Sequence, residues 1–173
     1  MLTGTTVKLA PLGADDLPTL FRWINERDDV LLNAAYRPVH DEDHRAWFER
    51  IRGRPDIVVF GIRLADGDRL IGSCQLHSID ARSGSAELQI RIGEPDARDR
   101  GHGREAVELL LRHAFDDLNL RRVFLHVFAT NERARRVYER AGFVEEGRLR
   151  EAAYVDGAFV DVVVMGLLRA DRS

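Results

Sequence analysis

The spacing of apolar residues in this chain switches repeatedly between a period of two, which marks a strand, and a period of about 3.6, which marks a helix. Strand-like spacing covers residues 6–10, 57–64, 70–78, 85–92 and 122–128, and a closing hairpin is predicted over 144–154 and 158–168. Helical spacing begins after Asp15 or Asp16, near Asp41, at Gly103 and after Asn131. Because strands and helices alternate without a Pro/Ser-rich linker or an internal repeat, the chain is predicted to form one α/β domain over residues 1–173.

The middle strands are predicted to form an antiparallel meander. The two helices that follow them have the clearest helical patterns in the chain. The stretches 57–64 and 70–78 are separated by Asp66-Gly67-Asp68, a sequence that favours a hairpin turn. The helix predicted over 103–118 carries one continuous apolar face. In the following helix, Asn131 supplies a side-chain cap and Gly142 stands where a left-handed residue ends a helix.

Composition excludes several classes of protein. Of the 173 residues, 45% are hydrophobic and 32% are charged, which suffices for a sizeable core and is too polar for a membrane bundle. No apolar run approaches the ~18 residues of a transmembrane helix and no secretory signal is evident, so a cytoplasmic location is expected. A net charge of −3 argues against nucleic-acid binding. The single cysteine, Cys74, excludes an internal disulfide and is expected to be a buried, inert thiol.

The segment 98–104 is the clearest candidate for ligand binding. It reads Arg98-Asp99-Arg100-Gly101-His102-Gly103-Arg104 and lies between a strand and the helix that starts at Gly103. Amide groups at the start of a helix lack intrahelical partners, so a glycine-bearing loop there can surround an anion. Arg98, Arg100 and Arg104 add forked donors that suit phosphate oxygens. The alternative is an ordinary strand-to-helix turn with exposed arginines.

Two other phosphate-binding motifs fit this loop less well. The motif G-x-x-x-x-G-K-[ST] is excluded because Lys8 is the only lysine. The sequence Gly101-x-Gly103-x-x-Ala106 matches the dinucleotide motif, which would make the chain an NAD(P)-dependent oxidoreductase. That motif follows a strand directly, whereas residues 95–100 intervene here, and the next strand does not end in the expected acidic residue.

Residues 40–44 carry two histidines four positions apart, as in a zinc-protease helix. No metal site is predicted, because Asp41 stands where that motif needs Glu and no third ligand is evident. Asp41 is instead expected to begin a helix on which His44 packs beside Trp47. The acidic residues of this segment either form a solvated helix start or attract a cationic acceptor such as a polyamine.

Two motifs together resemble the GNAT superfamily of acetyl-CoA-dependent N-acetyltransferases. Segment 98–103 has the form R-x-x-G-x-G, and residues 131–143 have the form N-x-x-A-x-x-x-Y-x-x-x-G-F. The segment 146–151 and the hairpin about Asp156-Gly157 resemble the branch that acetylates ribosomal-protein N-termini. The resemblance implies an α+β fold with a mixed, mostly antiparallel sheet of about six to seven strands, splayed in the middle and flanked by about four helices.

The resemblance also implies a set of binding residues for acetyl-CoA. The backbone at Ile90 and Ile92 would meet the pantetheine arm. The pyrophosphate would lie against Arg98, Asp99, Arg100, Gly101, His102, Gly103 and Arg104. Asn131 and Ala134 would lie near the thioester, and Tyr138 matches the family's general acid. No metal is implied.

The chemistry of amine acetylation assigns roles to Tyr138 and Glu87. An amine attacks only when neutral, and at pH 7 an α-amine is ~10% neutral, whereas a lysine-like amine is below ~0.1% neutral. A tyrosine can protonate the leaving thiolate. Period-two spacing places Glu87 on one strand face with Gln89 and Arg91, where a carboxylate needs a polar neighbour. Glu87 therefore acts as general base, pairs with Arg91 or binds the acceptor's ammonium group.

The expected function is direct acetyl transfer from acetyl-CoA to a primary amine in a ternary complex. A protein N-terminal α-amine is the favoured acceptor, ahead of a polyamine, an amino sugar or an antibiotic amine. The chain is expected to be a monomer or a homodimer, with no nucleic-acid or membrane partner. A non-catalytic acyl-CoA-binding module and the oxidoreductase are the alternatives from other classes.

Overall fold

The computed structural model describes residues 1–172, which form one eight-stranded sheet with helices on both faces. The strands are β1 (Leu2–Thr3), β2 (Val7–Pro11), β3 (Val58–Leu64), β4 (Leu70–Asp80), β5 (Ser85–Ile92), β6 (Arg122–Phe128), β7 (Val144–Val155) and β8 (Ala158–Leu168). The helices are α1 (Leu17–Asn25), α2 (Arg27–Val30), α3 (Asp41–Ile51), α4 (His102–Arg112) and α5 (Glu132–Arg140). The strand order is β1-β2-β3-β4-β5-β6-β8-β7.

The sheet opens between its two central strands. All neighbouring strands are antiparallel except β5 and β6, which run parallel and pair only where Ser85–Glu87 lies beside Arg122–Phe124. Beyond that point β5 continues to pair with β4, and β6 with β8, so each central strand keeps its outer partner. The inner edges of both strands therefore face a gap. This confirms the predicted mixed sheet with a splay in the middle.

The two faces of β5 contact different layers of the molecule. Ala86 and Leu88 belong to the main core, which also contains Val107 and Leu110 of α4. Because successive side chains of a strand alternate, Glu87, Gln89 and Arg91 lie on the opposite face, as the sequence predicts. A second buried cluster, formed by α1, α3 and the first residue of β4, covers that side; it comprises Leu17, Leu20, Trp23, Phe48 and Leu70. The splay is thus bounded by α4 and α5 on one face and by α1 and α3 on the other.

Several elements differ from the sequence prediction. Strand β1 and the one-turn helix α2 were not predicted, because two- and four-residue elements are too short to carry a readable apolar period. The sheet accordingly has eight strands rather than six or seven. Helix α4 begins at His102 and ends at Arg112, and residues 113–117 continue as a π-helical turn rather than as α-helix to Leu118. The first long strand begins at Val7 rather than Thr6.

The closing hairpin is confirmed. Strands β7 and β8 meet at Asp156 and Gly157, whose φ values of +48° and +84° match a two-residue turn of the kind that joins twisted strands. Within residues 1–172, no helix is both long enough and apolar enough to cross a membrane.

Candidate active site

Two cavities meet at the splay. One lies between β5, α4 and α5 and has a volume of about 430 Å³; we call it the α4–α5 cavity. The other lies between β4, β5, α1 and α3 and has a volume of about 420 Å³; we call it the α1–α3 cavity. Asn33, Ile90 and Arg91 line both cavities. Two ligands can therefore approach the same point of β5 from opposite faces of the sheet.

The α4–α5 cavity collects most of the residues expected to bind the cofactor. Its lining includes Ile90, Ile92, Arg98, Asp99, Gly101, Gly103, Arg104, Asn131, Ala134 and Tyr138. Two expected residues, Arg100 and His102, do not line it. His102 turns toward the N-terminal segment, where its Nδ1 lies 3.2 Å from Oγ1 of Thr6, and Arg100 is exposed. Their side chains thus lie outside the cavity that the rest of the loop forms.

The start of α4 presents backbone amides to this cavity. Gly101 precedes the helix with φ +83°, a conformation that glycine adopts without strain. The first intrahelical bond of the turn is donated by Glu105 N to the Gly101 carbonyl at 3.1 Å. The amides of residues 102–104 precede this bond, and such groups at a helix start are free to bind an anion. Phosphate binding by this loop stays a prediction, which the position of these amides permits.

The sequence predicts that Arg98 binds a phosphate, but in the structure its guanidinium is occupied by other partners. It donates two hydrogen bonds to Asp29 of α2, at 2.8 and 2.6 Å, and two more to the carbonyls of Ile92 and Gly93. The hydrogen bonds from Arg98 to Asp29 also raise the pKa of Arg98. A guanidinium held bidentately by a carboxylate has no free fork. Arg98 instead fixes the loop to the end of β5 and to α2.

The other arginines of the loop are less constrained. Arg104 is paired with Glu108 at 2.8 Å on the exposed side of α4, and Asp99 with Arg133 of α5 at 3.1 Å. Exposed pairs of this kind contribute little stability and exchange readily. Arg104 therefore remains available to an anion at the helix start.

Tyr138 lines the α4–α5 cavity, and it belongs to α5, whose N-terminus is capped by Asn131. Asn131 Oδ1 accepts a hydrogen bond from Ala134 N at 3.1 Å, and Asn131 Nδ2 donates to the Leu32 carbonyl at 3.0 Å. Tyr138 is 7% exposed and packs edge-to-face on Phe143. Burial raises the pKa of Tyr138 to about 12. The phenol is therefore fully protonated at neutral pH.

Glu87 has a partner that the sequence analysis missed. Its carboxylate lies 2.7 Å from Nδ1 of His126 on β6 and 3.9 Å from Nε2 of His77 on β4. The expected alternative of a Glu87–Arg91 pair is wrong, because Arg91 donates to the Trp23 carbonyl instead. Glu87 sits where the β5–β6 pairing ends and does not line either cavity. The sequence does contain a pattern that could have indicated this partner, because His126 is a polar residue in the otherwise apolar run from Val123 to Phe128.

The α1–α3 cavity has aromatic walls and an uneven charge. Trp23 of α1 and Trp47 of α3 line it, and its floor carries Gln75 and Gln89, which share a hydrogen bond of 2.5 Å. The charged side chains in its lining are Asp43, Arg50 and Arg91, together with His44. With His44 neutral, two cations face one anion.

His44 is confirmed as a partner of Trp47. The two rings are stacked with centroids 5.3 Å apart, and His44 is 4% exposed. Burial lowers the pKa of His44 from its ordinary value of 6.5. The folded protein thus holds a neutral imidazole at neutral pH.

The buried His44 makes folding stability depend on pH. The unfolded chain binds the proton at about pH 6.5, whereas the folded chain resists it, so stability is complete above about pH 6.5 and decreases as the pH falls below that value. We expect Tm to decrease between about pH 7 and pH 5, and to decrease less in His44→Phe, which keeps a ring on Trp47 but cannot titrate. His40→Gln, an exposed control, should follow the unmodified protein. Equal slopes for all three proteins in thermal melts would contradict this assignment.

The sheet opens between two parallel strands, and the start of α4 borders the cavity on one face of this opening, which is the arrangement that the resemblance to N-acetyltransferases implies. The profile of the acetyltransferase (GNAT) domain matches residues 6–144, and the chain belongs to this family. It is an acetyl-CoA-dependent N-acetyltransferase, as its sequence motifs predict, and not an oxidoreductase.

Related proteins include enzymes with two kinds of acceptor. A spermidine N(1)-acetyltransferase of Vibrio cholerae is 39% identical over 101 residues, which is 58% of this chain and 58% of that protein. A putative ribosomal N-acetyltransferase of Bacillus subtilis, YdaF, is 30% identical over 164 residues, which is 95% of this chain and 86% of that protein. The crystal structure of the Vibrio cholerae spermidine N-acetyltransferase with CoA and spermine has a TM-score of 0.90 at 28% identity, covering 97% of this chain and 98% of that one.

Proposed function

We propose that the chain transfers an acetyl group directly from acetyl-CoA, bound in the α4–α5 cavity, to an α-amine bound in the α1–α3 cavity. The observation that carries the proposal is the meeting of the two cavities at Ile90 and Arg91, which allows both substrates to be bound at once. A covalent acyl-cysteine route is disfavoured, because Cys74 is 2% exposed and burial raises the pKa of its thiol.

The α4–α5 cavity suits the cofactor along its whole length. The amides of residues 102–104 and the side chain of Arg104 would bind the diphosphate. The unpaired inner edge of β5 offers backbone groups at Ile90 and Ile92 to the amides of the pantetheine arm. Asn131 and Ala134 border the inner end, next to the place where Arg91 and Ile90 separate the two cavities.

We assign the two proton transfers to different faces of the sheet. Tyr138, buried and protonated, donates to the sulfur as the thiolate leaves. On the other face, the pair of Glu87 and His126, which lies outside the lining of both cavities, receives the proton of the acceptor amine through water. The Glu87 carboxylate accepts the Nδ1–H of His126, which leaves Nε2 as a basic atom oriented by that hydrogen bond.

The charge of the α1–α3 cavity favours an α-amine over a polyamine. Polyamines carry several positive charges at neutral pH, and Arg50 and Arg91 outnumber the single Asp43 in the lining. Like charges in a cavity of low dielectric repel each other strongly. An α-amine has a pKa near 8, so about 10% of it is already neutral at pH 7. Its neutral form brings no positive charge into the cavity, whereas a polyamine with one neutral amine still carries its other ammonium groups.

Polyamine acetylation is the second candidate, because the Vibrio cholerae relative is a spermidine acetyltransferase and its crystal structure contains CoA and spermine. YdaF, one of the relatives that align with 95% of this chain, is instead a putative ribosomal N-acetyltransferase, whereas a spermidine N(1)-acetyltransferase of Escherichia coli aligns with the same share. The two candidates differ in acceptor only and share the same cofactor site.

A panel of acceptors tests the proposal. The full chain is incubated with acetyl-CoA, and thiol release is measured with a peptide bearing a free α-amine, the same peptide with a blocked N-terminus and an internal lysine, spermidine and spermine. We expect release with the free α-amine and little with the blocked peptide. Turnover with spermidine or spermine alone would replace the α-amine by the polyamine candidate. Absence of release with every amine, despite stabilisation by CoA in a thermal melt, would leave a non-catalytic CoA-binding module.

A further inference from the structure

Arg91 is a half-buried cation without a carboxylate partner. Its Nη1 donates to the Trp23 carbonyl at 3.3 Å, and within residues 1–172 no carboxylate oxygen lies within 4.0 Å of its guanidinium. Burial lowers the pKa of Arg91, and Asp29, the acid whose charge offsets this effect, is already bound bidentately by Arg98. A guanidinium removed from water and left unpaired is unfavourable unless a ligand supplies the anion.

Arg50 provides a second free cation in the same cavity. It lies on α3 with Asp43 and Trp47, at spacings of seven and three residues that place all three on the face toward the cavity. Within residues 1–172 the Arg50 side chain makes no ion pair or hydrogen bond, whereas Arg45 and Arg52 of the same region bind Asp41 and Glu49. Two arginines of this cavity are therefore free while their neighbours outside it are paired.

The position of Arg91 determines where the missing anion would lie. Arg91 lines both cavities, next to Ile90, so an anion bound there is close to the point at which the acceptor amine meets the thioester. Asp43 and Arg50 are two helical turns apart, about 10 Å along α3, so the cavity offers an acid near one end and a base near the other. This arrangement fits an acceptor that carries both signs of charge.

We propose that the acceptor carries a carboxylate within a few bonds of its α-amine, and that Arg91 and Arg50 bind this carboxylate. The inference rests on the proposed function and specifies its substrate class. The shared chemistry is an amine with a nearby carboxylate, which is present in a free amino acid and in a peptide with an acidic residue near its N-terminus. Two parallel hydrogen bonds between an arginine and a carboxylate are strong enough to determine which of two isosteric acceptors is used.

Isosteric acceptor pairs test the proposal and distinguish the two sources. One arm compares peptides that begin Ser-Asp and Ser-Asn; the other compares free serine with serinamide. We expect kcat/KM to be about 10- to 100-fold higher for the carboxylate member of at least one pair, the range that charged hydrogen bonds give. Equal values within both pairs would overturn the proposal while leaving α-amine acetylation intact. Turnover with polyamines alone would instead remove the proposed function itself.

Two variants connect the preference to the arginines. Arg91→Gln and Arg50→Gln are each expected to reduce the carboxylate preference by about tenfold, through KM for the acceptor. KM for acetyl-CoA should stay unchanged in Arg50→Gln, because Arg50 lines only the α1–α3 cavity, whereas Arg91 lines both cavities. Arg50 is exposed, so its replacement tests the proposal even where Arg91→Gln fails to fold. Arg82→Gln, in the exposed β4–β5 turn, is the control and should keep the full preference. An unchanged preference in Arg50→Gln and in folded Arg91→Gln would contradict the assignment.

Discussion

Tyr138→Phe is expected to lower kcat by roughly 10²- to 10⁴-fold, the range for loss of a positioned general acid, while the Kd for CoA changes little. The substitution removes only the hydroxyl. The ring, its edge-to-face contact with Phe143 and the fold of α5 remain. Because burial raises the pKa of Tyr138 to about 12, the phenol stays protonated throughout the neutral and mildly alkaline range. The kcat of the unmodified enzyme should therefore not fall through ionisation of Tyr138 below about pH 10.

The control for this substitution is Tyr154→Phe. Tyr154 is 57% exposed on β7, and its ring packs on Phe159 away from both cavities. Steady-state thiol release and calorimetric CoA binding are measured for both variants. Unaltered turnover in Tyr138→Phe would exclude Tyr138 from proton transfer, and equal losses of kcat and CoA affinity would reduce it to a packing residue of the cavity.

Glu87→Gln is expected to lower kcat/KM for the acceptor by about 10²-fold near pH 7, the lower end of the range for a general base. Glutamine keeps the shape of the side chain but removes the negative charge that orients His126. His126→Gln should produce a similar loss. If the two residues act as one unit, the double variant will lose little more than either single variant, since coupled effects are not additive.

The pH dependence distinguishes a proton acceptor from a structural pair. Above the pKa of the acceptor amine the substrate is already neutral, so the deficit of Glu87→Gln should shrink as the pH rises toward about 9. A deficit that is constant with pH would assign Glu87 to positioning of β5 and β6 at the apex of the splay. Glu139→Gln, an exposed change on α5, should leave the profile unaltered.

The sequence predicts those parts of the fold that depend on neighbouring residues. The bounds of β5 and β6, the Asn131 cap of α5 and the Asp156-Gly157 turn are all local patterns, and the structure agrees with each. The predicted splay came from the family resemblance. Local periodicity carries no information about where two parallel strands stop pairing.

The contacts that the sequence could not predict join residues far apart in the chain. Arg98 and Asp29 are 69 residues apart, and His126 and Glu87 are 39 apart. Their pairing depends on where α2 sits and on the register of β6 against β5, neither of which a periodic pattern determines. The role of the loop in binding phosphate stays a prediction, and the structure shows that its first arginine is held by Asp29. The acceptor side was the least predictable because two helices, α1 and α3, and the segment between them build it against the sheet.

The Arg98–Asp29 ion pair connects the walls of two different binding sites. Arg98 belongs to the loop that we propose binds the diphosphate, and Asp29 belongs to α2, which leads into Asn33 at the junction of both cavities. A ligand that immobilises one partner of this pair restricts the other partner too. Thermodynamic linkage requires any such effect to be mutual, so we expect CoA and the acceptor to raise each other's affinity. The pair itself lines the α4–α5 cavity, so a bound cofactor can act on it directly.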